Sequence, residues 1–223
     1  MTNTTQFDPV SLEIMWSRML NVAEEMWSTI LRTAVSTIIA SANDFGCEVL
    51  DAEGRSLAHA YRSMPVFNMT MPNVAKEILK KYPIETMHPG DVYMTNDPWM
   101  CAGHLPDIAV VTPAFYQGKV VAFAGNIANT SDIGGSLDAK NVRDSYEEGI
   151  FFPICKLYHQ GEVYGAILVA KDQSSDNADT LRVLMRKENN NWVILSKPPA
   201  PILSAPSYPD INRAVLVDIN QAR

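Results

Sequence analysis

Two carboxylates and an imidazole fall in the short run Asn96-Asp97-Pro98-Trp99-Met100-Cys101-Ala102-Gly103-His104-Leu105-Pro106-Asp107. Pro98 and Pro106 remove backbone donors and Gly103 loosens the chain, so this run is a shaped loop and not a regular helix. It leads into the apolar segment Ile108-Ala109-Val110-Val111, which sets polar side chains at a strand edge, where sites are commonly built. A second polar turn, Asp132-Ile133-Gly134-Gly135, lies further on. Asp97, His104 and Asp107 on the first loop and Asp132 on the second are donors that Mn²⁺, Fe²⁺, Zn²⁺ or Mg²⁺ accepts. An ion held with open positions polarises a carbonyl or activates water.

Spacing alone leaves plainer roles open. An Asp before Pro commonly starts a turn, Asp132 before two glycines suits an Asx cap, and a loop histidine often bonds backbone. Cys101 becomes a nucleophile only if a base lowers its pKa, which three-residue spacing to His104 does not guarantee. Glu148, beside Glu147, offers a general base or half of a solvated pair. Gly134-Gly135 lacks both the lysine and the spacing of a nucleotide loop, so ATP has no cradle in this sequence.

The elements that must hold these loops are legible in part. Asp8-Pro9 reads as a helix cap followed by proline at the first helical position. Leu12, Met15, Trp16, Met19, Ala23, Met26, Trp27, Ile30, Leu31 and Ala34 then recur at three- and four-residue steps, which predicts one long amphipathic helix ending near Ala34. Its apolar stripe serves core packing or a subunit interface. Phe45 to Leu50, a turn at Asp51 to Gly54, and Arg55 to Ala60 form a hairpin. A second helix is expected from Pro72 to Lys81, and Pro89-Gly90-Asp91 turns into a strand at Val92 to Met94. Strands at Ile108 to Phe115 and Lys119 to Gly125 flank a tight turn at Tyr116-Gln117-Gly118, and Asn126 to Ser136 reads as a polar loop. The expected class is α+β: a long N-terminal helix packed on mainly antiparallel strands, with an irregular C-terminal tail. The division is 1–165 as the main domain and 166–223 as a loosely organised tail. That tail holds a polar stretch at Lys171 to Thr180, a turn at Asn189-Asn190-Asn191, a proline-rich segment from Lys197 to Pro209, one short helix and one strand.

Net charge is −7 over 223 residues. An acidic surface argues against nucleic acid or anionic lipid as a partner. Three scattered cysteines with no CxxC pair suit a reducing cytoplasm, and the polar Met1 to Asp8 shows no signal-peptide pattern.

The ordered motifs resemble the hydantoinase B/oxoprolinase family. The resemblance runs from Asp8-Pro9-Val10 to about Gly161. It includes Asp44-Phe45-Gly46-Cys47, Asp51-Ala52-Glu53-Gly54-Arg55, Ser63-Met64-Pro65-Val66, Pro89-Gly90-Asp91, Asn96-Asp97-Pro98, His104-Leu105-Pro106-Asp107, Asp132-Ile133-Gly134-Gly135 and Glu148-Gly149-Ile150. It implies a two-part machine. A hydantoinase A-type, ATP-binding partner phosphorylates the substrate carbonyl, and the B-type part opens a cyclic amide or, in ketone carboxylases, forms a carbon–carbon bond. His104, Asp107 and Glu148 would be the catalytic groups. Asp97, His104, Asp107, Asn129 and Asp132 would line a site for a divalent metal.

The sequence departs from the family pattern at several points. Asn129 and Thr130 stand where the family commonly has histidine, Phe67 replaces another, and family members run to more than twice this length. A truncated, noncatalytic member that keeps the fold and the subunit contacts is therefore the alternative expectation, with a ketone carboxylase component as a third.

Overall fold

The protein is described from a computed structural model over residues 8–136, 140, 142–160, 163–169, 180–188, 191–196, 202–211 and 213–221. Helix α1 spans Pro9–Thr33. Asp8 caps it by accepting from the Ser11 amide at 3.0 Å, as the Asp-Pro start requires. Only the second half of its stripe is covered. Ala23 and Trp27 are buried, whereas Leu12, Met15 and Trp16 stay exposed.

Strand β1 (Phe45–Asp51) and β2 (Ser56–His59) form the expected hairpin. β1 is buried from Phe45 through Leu50, which explains its nearly unbroken apolar run. On one face Phe45, Cys47 and Val49 meet α1, with Trp27 stacked on Phe45 at 5.0 Å between ring centroids. On the other face Leu50 joins the core beneath the second helix, α2 (Pro65–Lys81).

α2 begins seven residues before the expected start at Pro72. Pro65 occupies its first turn, where a missing N–H is harmless, and Pro72 lies inside it. An internal proline costs about 3 kcal/mol. Burial of Phe67 and Met71 in the added turns offsets that cost.

Strand β3 (Val92–Thr95) precedes the loop that carries the candidate residues. The hairpin of β4 (Asp107–Tyr116) and β5 (Lys119–Asn129) follows it. Gln117 and Gly118 both take positive φ, the two-residue turn that matches strand twist. β5 runs four residues past the predicted end at Gly125. The segment Asn126 to Asn129, expected as loop, is strand because Ile127 and Asn129 point alternately into the interior.

Strands β6 (Cys155–Gln160), β7 (Val163–Val169), β8 (Thr180–Glu188) and β9 (Asn191–Ile194) complete the order β2-β1-β5-β4-β3-β6-β7-β8-β9. The described pairings are all antiparallel. A second core gathers Leu184, Leu203 and helix α3 (Arg213–Gln221) through Val215, Leu216 and Ile219. Arg182 from β8 donates to the Ile219 and Asn220 carbonyls at the end of α3, a favourable place for a cation. Beyond residue 165 the described residues thus add two whole strands and a helix to the antiparallel α+β plan. Residues 1–7, most of the polar stretch at 171–179, Asn189-Asn190 of the expected turn, and 197–201 of the proline-rich segment lie outside the described residues.

Candidate functional site

Antiparallel register sets the centre of the site. Asp107, the first residue of β4, lies directly opposite Asn129, the last of β5. Asp107 is 3% exposed, and both its carboxylate oxygens are engaged. Oδ2 faces His104 Nε2 at 2.7 Å, and Oδ1 accepts from Asn129 Nδ2 at 2.8 Å. Asn129 Nδ2 also stands 3.4 Å from His104 Nε2. The three-residue step from His104 to Asp107, closed by Pro106, turns the imidazole back over the strand end.

Hydrogen bonding to Asp107 is the leading cause that raises the His104 pKa, and the nearby carboxylates of Glu148 and Asp44 push the same way against partial burial. Asp44 is the group that reading the sequence for donors missed. Its carbonyl accepts from the Asn129 amide at 3.0 Å, directly before β1. Burial first, then the charge of Asp107, raises its carboxyl pKa. Its only sequence signal was its place at the head of the Asp44-Phe45-Gly46-Cys47 motif.

The two candidate loops do converge. Thr130 donates to the Pro106 carbonyl through its amide at 2.9 Å and its hydroxyl at 3.0 Å. A third loop joins them. Gly134 bridges Gly149, Ile150 N–H donates to Ile133 C=O, and Glu148 Oε2 accepts from the Leu105 amide at 2.7 Å. A Cβ on Gly135 would collide with the Glu148 carbonyl, so the close approach of these loops depends on that glycine.

Asn96 ties the assembly from inside. Fully buried, it donates to the Leu105 and Ile150 carbonyls and accepts from the Phe152 amide. Its value comes from burial between three strands of chain, which a lone asparagine in a sequence does not advertise.

The remaining predicted residues do other work. Asp97 Oδ1 accepts from the Trp99 amide at 3.0 Å and Asp132 Oδ1 from the Gly134 amide at 2.7 Å, both Asx turns. Among the described residues no hydrogen bond or ion pair links either carboxylate to His104, Asp107 or Asn129. Cys101 is buried, and its thiol is pushed up to about 12 by burial, with Asp97 adding to the effect. It stays protonated and is no nucleophile.

As a metal site the cluster brings one imidazole, one carboxylate and one amide together. Among the described residues no group of three His, Cys, Asp or Glu is placed to hold an ion. His104 Nε2 and Asn129 Nδ2 are both spent on Asp107, so the set as arranged falls short of the donors a divalent-metal site uses.

Beside the cluster, a cavity of about 590 Å³ opens between Trp99, Gly103, Arg143 and Glu148. No described helix is long and apolar enough to cross a membrane.

Residues 8–184 match the family model described as hydantoinase B/oxoprolinase. The B-type component of a putative D-/L-hydantoinase from Pseudomonas sp. (strain NS671) is 32% identical over 166 residues, 72% of this chain and 28% of that protein. The 5-oxoprolinase of Dictyostelium discoideum is 34% identical over 138 residues, 60% of this chain and 10% of that one. Among solved structures, the ATP-dependent caprolactamase from Pseudomonas jessenii superposes with TM-score 0.56 at 24% identity, covering 70% of this chain and 27% of that one. The chain spans less than a third of the length of these relatives.

Proposed function

Because the chain belongs to the hydantoinase B/oxoprolinase family, we propose that it forms the ring-opening centre of an ATP-dependent hydrolase of cyclic amides, of the 5-oxoproline or hydantoin type. The observation that carries this reading is the His104–Asp107–Asn129 cluster at the junction of three loops, inside the matched region. A hydantoinase A-type partner would bind ATP and phosphorylate the amide carbonyl, since this sequence has no phosphate cradle.

His104 is then the proton donor. Its Nε2–H is held by Asp107, and the hydrogen bond to that carboxylate, which raises the His104 pKa, favours the protonated ring that can donate from Nδ1. Water adds to the O-phosphorylated carbon, the ring C–N bond breaks as Nδ1 delivers its proton to the departing nitrogen, and a second water hydrolyses the resulting acyl phosphate to carboxylate and inorganic phosphate. Asp107 orients the imidazole and stabilises its charge. Asn129 holds the second oxygen of Asp107 in place. Glu148, fixed by the Leu105 amide, borders the cavity and is the group that can take a proton from the attacking water.

Three free, buried cysteines support a reducing, cytoplasmic setting. The uncovered apolar residues of α1 support a protein contact there. Asn129, whose amide N–H groups face Asp107 where the family commonly has an imidazole, favours a second reading: a noncatalytic member that keeps only the fold and this contact.

The test is co-expression with an A-type ATPase partner, followed by incubation with ATP and either 5-oxoproline or hydantoin. Ring-opened product that requires ATP and both chains is expected. A stable complex that opens neither ring would refute catalysis and leave the second reading. Bicarbonate-dependent ATP consumption with a ketone would move the chain to the carboxylases.

A further inference from the structure

We propose that the cavity between Trp99 and Arg143 recognises a ring that carries an anionic oxygen group, with the Arg143 guanidinium binding the anion and the Trp99 indole covering the ring. The inference rests on the reading of the adjoining cluster as a ring-opening centre, and it narrows the substrate class of that centre.

Trp99 is 93% exposed at the cavity rim, an unusual place for a large aromatic side chain with no covering contact. Pro98 precedes it, and its amide is tied to Asp97 Oδ1, so the turn built by Asp97 fixes its backbone at the rim.

Arg143 faces it from the loop that supplies Glu148. Glu147 Oε2 accepts from the Arg143 amide at 2.9 Å, which anchors the backbone and occupies that carboxylate. The guanidinium is exposed, and no described carboxylate lies within 4 Å of it. Among the described residues lining the cavity, Arg143 carries the only positive charge, beside the acidic Asp144 and Glu148. An arginine with no described carboxylate paired to it, in a concave site beside carboxylates, is placed to fork onto an incoming carboxylate or phosphoryl group.

Gly103 on the same rim has open space where a Cβ would be. A volume near 590 Å³ accommodates a five- or six-membered ring with its substituent. The shared chemistry is an anionic oxygen group. It comes either from a carboxylate on the ring or from the phosphoryl group on an activated carbonyl.

Calorimetric titration of the whole chain with 5-oxoproline, with the neutral ring 2-pyrrolidone, and with inorganic phosphate tests this without turnover. The expected result is 5-oxoproline binding about ten- to a hundredfold more tightly than 2-pyrrolidone, the range a charge-assisted hydrogen bond provides. Arg143→Gln should abolish that preference, Arg143→Lys should keep part of it, and Trp99→Ala should weaken both rings. Phosphate binding that depends on Arg143, with no preference between the two rings, also supports the anion site and assigns it to the phosphoryl group. Equal affinity for the two rings, together with phosphate binding indifferent to Arg143→Gln, overturns the proposal. Binding that follows the expected pattern, together with no ring opening by the complex with an A-type partner and ATP, would sink the functional reading and leave this one standing.

Discussion

Glu48 sits in the middle of β1, 1% exposed, with Gly125 opposite it on β5 and His59 on β2. Neither carboxylate oxygen has a hydrogen-bond partner. Burial pushes its carboxyl from the usual 4.5 up to about 7, with the Ser56 side chain opposing this as the smaller effect. In the unfolded chain the group ionises near pH 4.5, while in the fold it stays protonated until about pH 7. The folded state therefore loses stability as pH rises between those values, and the whole penalty is present above pH 7. Each pH unit of that window is worth about 1.4 kcal/mol, so the full penalty is about 3 kcal/mol. Glu48→Gln keeps the volume and cannot ionise. It should exceed the wild type by about 3 kcal/mol at pH 8 and by less than about 1 kcal/mol at pH 5. Urea denaturation of both proteins at both pH values measures this, and the difference between the two gaps isolates Glu48 because every other group titrates alike. A gap of the same size at pH 5 and pH 8 would show that the carboxyl is not perturbed, and would refute the argument.

Asp107→Asn should lower the His104 pKa, because it removes the hydrogen-bonded charge that chiefly raises it. An NMR titration of the ring protons reads this directly; His104 contributes stability below its unfolded pKa that fades as pH rises through the folded value, and this window should narrow in the variant. Asn96→Ala leaves two carbonyls and one amide without partners in a buried junction. It should cost about 3 kcal/mol in denaturant, and it should weaken 5-oxoproline binding because the loops that carry His104 and Glu148 lose their common tie.

What the sequence discloses depends on whether a residue acts locally. α1 was legible because a 25-residue helix repeats its stripe many times, and the Asp8-Pro9 start is local chemistry. The hairpins were legible because turn residues and alternation adjoin one another. The start of α2 was hidden because Pro72 mimics a helix beginning, and only tertiary burial of Phe67 and Met71 outweighs it. The end of β5 was hidden for a related reason: Asn126 and Asn129 look like loop, yet β5 is paired on both sides, with β4 at Val110 and Asp107 and with the β1 side through the Asn129 amide to the Asp44 carbonyl. His104, Asp107 and Asn129 were named as candidates, and their meeting follows from the register of β4 on β5, which single-residue spacing does not encode. The roles of Asp44 and Asn96 arise from contacts with residues dozens of positions away, which their places in local motifs do not encode.

The central claim is that His104 supplies the proton for ring opening. Single-turnover opening of 5-oxoproline by the complex with an A-type partner and ATP, compared between wild type and His104→Gln, tests it most directly. The account predicts a loss of about a hundredfold or more in rate with ATP consumption retained. A His104→Gln complex that opens the ring at the wild-type rate would contradict it.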